Sequence, residues 1–211
     1  MTGPHGHISA SLRRLRMLRR RYRAESRGAT AIEFAVVALP FLGLIFGILE
    51  LALVFFTSAV LSQAMTDTGR LVRVGSFQGC GGAPEFKALI CAKMSNLMNC
   101  NANLRIDLTT ASTFQSVTLE DPGLSGLDPD DEDAEIDDGT YVDTDPAVPV
   151  VMRGTFYYPL ILPNFMTRLE SVSGSGRHVI STSTAFRTEP FPTGGSCDAA
   201  VAAEISAAQA D

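Results

Sequence analysis

The dominant pattern along the chain is an apolar run from Phe34 to Leu61. Its inner half, FAVVALPFLGLIFGIL, has no charged residue; Glu50 interrupts, and LALVFF follows. Crossing a hydrocarbon core takes about 20 helical residues, so a span over about 34–56 is predicted. A carboxylate in mid-helix costs about 2.5–3.5 kcal/mol on insertion scales, and each Leu, Ile, Phe or Val returns about 0.3–0.6. More than a dozen such residues outweigh one acid. Past the span, Val60, Leu61, Ala64, Thr68, Leu71 and Val72 keep a helical period, while Gln63, Asp67, Arg70 and Arg73 face elsewhere. One helix over about 29–74 is therefore expected, roughly 65 Å long at 1.5 Å per residue. Gly75, Gly79, Gly81 and Gly82 end it. Pro40 removes the amide that would bond the Val36 carbonyl, which predicts a kink.

The remainder alternates between shorter periods. Pro84–Met98 opens on proline and places Phe86, Leu89, Ile90, Lys93 and Leu97 at helical spacing, predicting a second helix. Leu104, Ile106 and Leu108 alternate with Arg105 and Asp107 as in a strand. Ala147–Tyr158 alternates in the same way, and His178–Arg187 is rich in Val, Ile and Thr. A weaker strand is expected near Phe114–Leu119. The fold class is therefore α+β: a long N-terminal helix continuing into a small domain, 75–191, with a second helix and an antiparallel sheet of about three to four strands. A flexible tail, 192–211, is expected after it.

Charge divides this pattern into compartments. Residues 1–28 hold eight arginines against one acid, Glu25, leaving nine bases and twenty-two acids in the rest of the chain. Positive residues beside a span stay cytoplasmic, so the N-terminus is placed inside and residues after about 57 outside. Leu12, Leu15, Leu18 and Tyr22 are also spaced for a short interfacial helix. No folded basic surface accompanies the arginines, which argues against nucleic-acid binding. A Ser62-Gln63-Ala64 triplet fits the small-residue rule of signal cleavage, but the apolar region exceeds the usual 7–15 residues and carries an acid. The segment 120–145 holds twelve acids and no base, the composition of a solvated, mobile loop. Asp128-Pro129-Asp130-Asp131-Glu132 mimics the opening of an EF-hand. The pattern fails at its sixth position, Asp133, and its twelfth, Gly139, where glycine and glutamate are required.

The junction Arg27-Gly28-Ala29-Thr30-Ala31-Ile32-Glu33-Phe34 ends the basic leader on a glycine and opens the span with one acid. It resembles the processing site of type IV pilins. More narrowly, RGATAIEFAVVALPFLGLIFGILEL is similar to the start of TadE/TadG-like minor pseudopilins of the Tad (Flp) pilus system. The segments FKALICAKMSNLMNC and STSTAFRTEPF resemble the ectodomain of that family. The resemblance implies cleavage between Gly28 and Ala29 by a prepilin peptidase, whose site requires backbone without a side chain at Gly28. It implies that the new amino group at Ala29 neutralises Glu33 of an adjacent subunit and so sets the axial register of the helices. The unaided alternative for Glu33 is an interfacial carboxylate stabilised by the helix N-terminus.

Glu50 lies about 25 Å along the helix from Glu33 and about 100° away in azimuth, so the two acids form no single site. It is either a second contact, with a neighbouring pilin or a platform protein, or a protonated or snorkelling acid. Gly43 and Gly47 form a G-x-x-x-G pair that permits close helix packing. The partners implied are prepilin peptidase, other Tad pilins and pseudopilins, the inner-membrane assembly platform and the lipid bilayer.

Four cysteines fall outside the membrane on this topology, which argues for two disulfides with three connectivities open. The family similarity favours Cys91–Cys100, leaving Cys80–Cys197. On an unbroken helix Cys91 and Cys100 would lie about 13 Å apart, beyond the roughly 7 Å limit, so that pair requires the helix to stop first. Zinc needs clustered ligands, and the cysteines offer no C-x-x-C. His178, beside Arg177 in a predicted strand, has no nucleophile elbow, P-loop or paired metal ligands for company. The expectation is a non-catalytic pseudopilin of the bacterial inner membrane with a periplasmic C-terminal domain, without cofactor or metal. The alternative is an uncleaved single-pass protein whose periplasmic domain binds a ligand or partner.

Overall fold

The computed structural model describes residues 26–95, 99–117, 136–172, 174–192 and 194–210. The basic leader up to Glu25 and residues 118–135, which include most of the acidic segment, lie outside the described residues. The chain divides into two compact units, Met1–Gly47 and Ile48–Asp211.

A helix, α1, covers Ser26–Arg73 and runs through Pro40 without interruption. In the first unit it is apolar all round: Ile32, Phe34, Val36, Val37, Leu39, Phe41, Leu44 and Phe46 are all exposed. A helix this apolar that belonged to a soluble core would be buried. Here only 6% of its most apolar 18-residue window is buried, and it is the one helix among the described residues long and apolar enough to cross a membrane.

In the second unit, Val54, Thr57, Leu61, Ala64, Met65, Thr68 and Val72 of α1 are buried at spacings of three and four, as the sequence period predicts. They join one core with a three-stranded antiparallel sheet of β1 (Leu104–Thr110), β2 (Pro149–Pro159) and β3 (Arg177–Arg187), in the order β1-β2-β3. Val150, Met152, Phe156 and Tyr158 of β2 share the face that meets α1, joined across the register by Leu104, Ile106 and Leu108 of β1. Two glycines bring helix and sheet close together. A Cβ on Gly154 would lie 2.9 Å from Met65 Sδ, and one on Gly69 would lie 3.2 Å from Met152 Cε.

The second helix, α2 (Ala83–Lys93), stops five residues short of the predicted end, with Ser95 in the left-handed region at φ 54°. That stop lets the chain return to a short helix, α3 (Cys100–Asn103), and Cys91 is bonded to Cys100 at a Cα separation of 5.5 Å. The other disulfide joins Cys80 to Cys197 at 4.6 Å. It closes a loop of 117 residues, for which chain entropy alone gives about 5 kcal/mol.

Three local expectations differ from the structure. Phe114–Ser116 is a turn of 3-10 helix, where a weak strand was expected; Thr113 and Ser116 bond each other and close it. The free edge of β1 is instead covered by residues 138–142, through Ile106 N–H to Asp138 O, Leu108 N–H to Thr140 O and Val142 N–H to Leu108 O. This stretch of the acidic segment is thus docked, not a solvated loop. Within the expected tail, Ala199–Ala210 form a helix, α5, with Val201 and Ile205 buried and Glu204 2.8 Å from Lys93 of α2. A run rich in alanine has helical propensity, and its two branched residues, four apart, supply the packing face.

Candidate functional site

The expected processing junction, Gly28 and Ala29, lies in the first turn of α1, on helical backbone. Glu33 is exposed between Ile32 and Phe34, which are 67% and 75% exposed. It has no hydrogen bond or ion pair among the described residues. The space beside Gly47 is likewise unused by its own chain, since a Cβ there would meet nothing within 4 Å. The glycine is therefore not demanded by intrachain packing.

Glu50 sits differently. It is 2% exposed, and its Oε1 accepts hydrogen bonds from the backbone N–H of Ile161 (2.5 Å) and Leu162 (3.0 Å). Its Oε2 and the hydroxyl of Tyr158 are both buried without a hydrogen-bond partner among the described residues. Burial raises the Tyr158 phenol above its ordinary pKa, and the charge of Glu50 adds to the shift. The structure therefore turns Glu50 into its own chain, where it holds the loop between β2 and a short helix, α4 (Asn164–Thr167). A snorkelling acid is not what is seen, and a contact with another subunit would have to form around a carboxylate already engaged.

On the face of the sheet away from α1, Asp107 is nearly inaccessible and lies between two arginines. Arg153 Nη2 is 2.8 Å from Oδ2, and Arg105 Nη2 is 3.1 Å from Oδ1. Arg105 also reaches Asp137 at 2.9 Å, and Lys87 meets Asp138 at 2.5 Å, which fastens residues 136–142 to the domain. Burial disfavours the Arg105 charge, but the hydrogen bond and charge of Asp107, with Asp137 beside them, hold the guanidinium above its ordinary value. Nearby, Tyr141 packs against Phe77 and Phe86 with ring centroids 5.6 and 5.4 Å away. Burial, then the charge of Asp143, raises its phenol well above the usual range.

His178 is tied into the fold. Its Nδ1 lies 2.5 Å from the Leu169 carbonyl, which can only accept, so Nδ1 carries the proton. Among the described residues no group of three His, Cys, Asp or Glu is arranged to hold a metal. The sequence reading missed both the Asp107 cluster and the role of the loop at 160–162. Arg105 and Asp107 are two apart on one strand and legible as a pair; Arg153 joins them only through the register that sets it opposite Asp107.

Comparison with family models matches residues 28–70 to the family described as TadE-like protein. The match starts at the glycine of the junction and ends within α1, so it leaves the segments 86–100 and 181–191 outside. No curated protein and no solved structure matches the chain.

Proposed function

We propose that this chain, TadE-like over residues 28–70, is a non-catalytic pseudopilin that acts in assembly of a Tad-type pilus. It spans the inner membrane once and is a substrate of prepilin peptidase. The observation that carries this reading is an exposed apolar helix whose family match begins at Gly28, five residues before an exposed acid at Glu33.

The chemistry follows from that arrangement. Positive residues of the leader hold the N-terminus in the cytoplasm, and the domain after α1 folds in the periplasm, where its two disulfides persist. Cleavage after Gly28 removes the leader and leaves an ammonium group at Ala29. A carboxylate near hydrocarbon is expensive unless paired. The ammonium of one subunit therefore neutralises Glu33 of the next, and helices associate only in that axial register. Gly43 and Gly47 let the neighbouring helix approach, which the open space beside Gly47 supports. The partners are prepilin peptidase, other Tad pilins and pseudopilins, and the inner-membrane platform.

Gly28→Leu should accumulate the longer precursor in cells that carry the peptidase, and Glu33→Ala should insert normally but impair piliation. Normal processing of the first variant would remove the site assignment, and wild-type piliation by the second would remove the role of Glu33.

A further inference from the structure

Residues 160–166, LILPNFM, form an apolar loop that the domain does not cover: Ile161 is 70% exposed, Phe165 83% and Met166 45%. Its position is fixed by Glu50, because Ile161 and Leu162 hydrogen-bond to that carboxylate. The neighbouring surface of α1 in the same unit is also apolar, with Ile48, Leu49, Leu51, Leu53, Phe55 and Phe56 exposed. Glu50 lies six residues below Phe56, or about 9 Å along a helix, so the loop meets α1 within its apolar stretch and not beyond it.

We infer that this loop is a second membrane element, inserted into the outer leaflet of the bilayer beside the spanning helix. The inference rests on the membrane-spanning reading of α1. Backbone outside regular structure survives at membrane depth only where its polar groups are bonded within the protein. Four of the six backbone N–H groups of residues 160–166 meet that condition. Leu160 N–H bonds the Gly176 carbonyl at 2.9 Å, Ile161 and Leu162 bond Glu50, Pro163 has no N–H, and Met166 N–H bonds the Pro163 carbonyl at 2.9 Å. Glu50 thus supplies the acceptor for two of those four groups. Arg168, just past α4, stands where a cation meets headgroup phosphates. Lipid is the occupant because the exposed loop continues the apolar surface of a helix that itself requires lipid. The opposite end of the sheet supplies a contrast. Successive contacts run from Gly69 beside Met152, through Met65 beside Gly154, to Glu50 beside Ile161, so α1 and β2 run side by side in opposite directions. Phe114 follows β1 at the Pro149 end of β2, about 33 Å from the loop along an eleven-residue strand.

The chain contains no tryptophan, so single substitutions give unambiguous probes. Phe165→Trp, Phe114→Trp and Phe41→Trp are each placed in the full chain and reconstituted in phosphatidylcholine vesicles with or without brominated acyl chains. The indole at position 165 should emit to the blue of the one at position 114, lose most of its fluorescence to brominated lipid and resist aqueous acrylamide. The indole at position 114 should show the reverse. At position 41, in the span, brominated lipid should quench the probe. If the span probe is quenched and the loop probe is not, the inference is overturned while the spanning reading stands. Shielding of the loop probe from acrylamide without lipid quenching would assign the loop to a protein contact, and also overturns it. An unquenched probe at position 41 would overturn both readings.

Discussion

Glu50 offers the sharpest single-residue perturbation, because one oxygen supports two backbone amides. Hydrogen bonds to a charged acceptor contribute about 1.5–3 kcal/mol each, and neutral ones about 0.5–1.5. Glu50→Gln keeps a carbonyl oxygen in place but removes the charge, weakening the pair of bonds by about 2–3 kcal/mol. Part of that loss is offset, since a neutral amide is easier to bury than a carboxylate. The net effect on local opening is about 1.4 kcal/mol, or a tenfold change. Glu50→Ala removes both bonds and leaves a buried gap, so opening should rise about a hundredfold or more. Amide hydrogen exchange on the full chain in detergent micelles reads this directly. Exchange at Ile161 and Leu162 should accelerate in the order wild type, Gln, Ala. The amides of Ile106 and Leu108, bonded to Asp138 and Thr140, should stay unchanged. Equal exchange at Ile161 and Leu162 in all three proteins would refute the anchoring role of Glu50.

Two further outcomes follow from the domain's interior. Asp107→Ala leaves Arg105 and Arg153 facing a vacated site and should lower stability by about 3–5 kcal/mol in urea unfolding; a loss below about 1 kcal/mol would mean the pair is solvated. Tyr141 holds its proton above the ordinary phenol pKa when folded, so the unfolded chain loses that proton first. Stability therefore falls as pH rises above about 10, by up to about 1.4 kcal/mol per pH unit for this group. Tyr141→Phe should remove that share of the slope between about pH 9 and about pH 11, and an unchanged slope would contradict the assignment.

Periodicity made most of the architecture legible. The apolar run encodes a helix exposed all round, while the helical spacing from Val60 to Val72 and the alternation around Ile106, Met152 and Ile180 each encode one buried face, and each formed the element expected. The misses have a common cause in tertiary contacts that no local pattern records. Val201 and Ile205 look like isolated apolar residues in a small-residue tail until α2 is beside them. Asp137 and Asp138 look like two more charges in an acidic run until Arg105 and Lys87 draw them in. Glu50 looked outward because a mid-span acid suggests a partner, and the donors that satisfy it stand 111 and 112 residues away in sequence. The stretch from Gly28 to Glu33 differs in that its pattern is contiguous in sequence, and it lies within the residues that match the TadE-like family.

The most direct test is the N-terminus of the chain itself, purified from membranes and measured by mass spectrometry in cells with and without prepilin peptidase. The expected result is a chain beginning at Ala29 where the peptidase is present and at Met1 where it is absent. A Met1 terminus in both, or one near Met65, would contradict a pseudopilin.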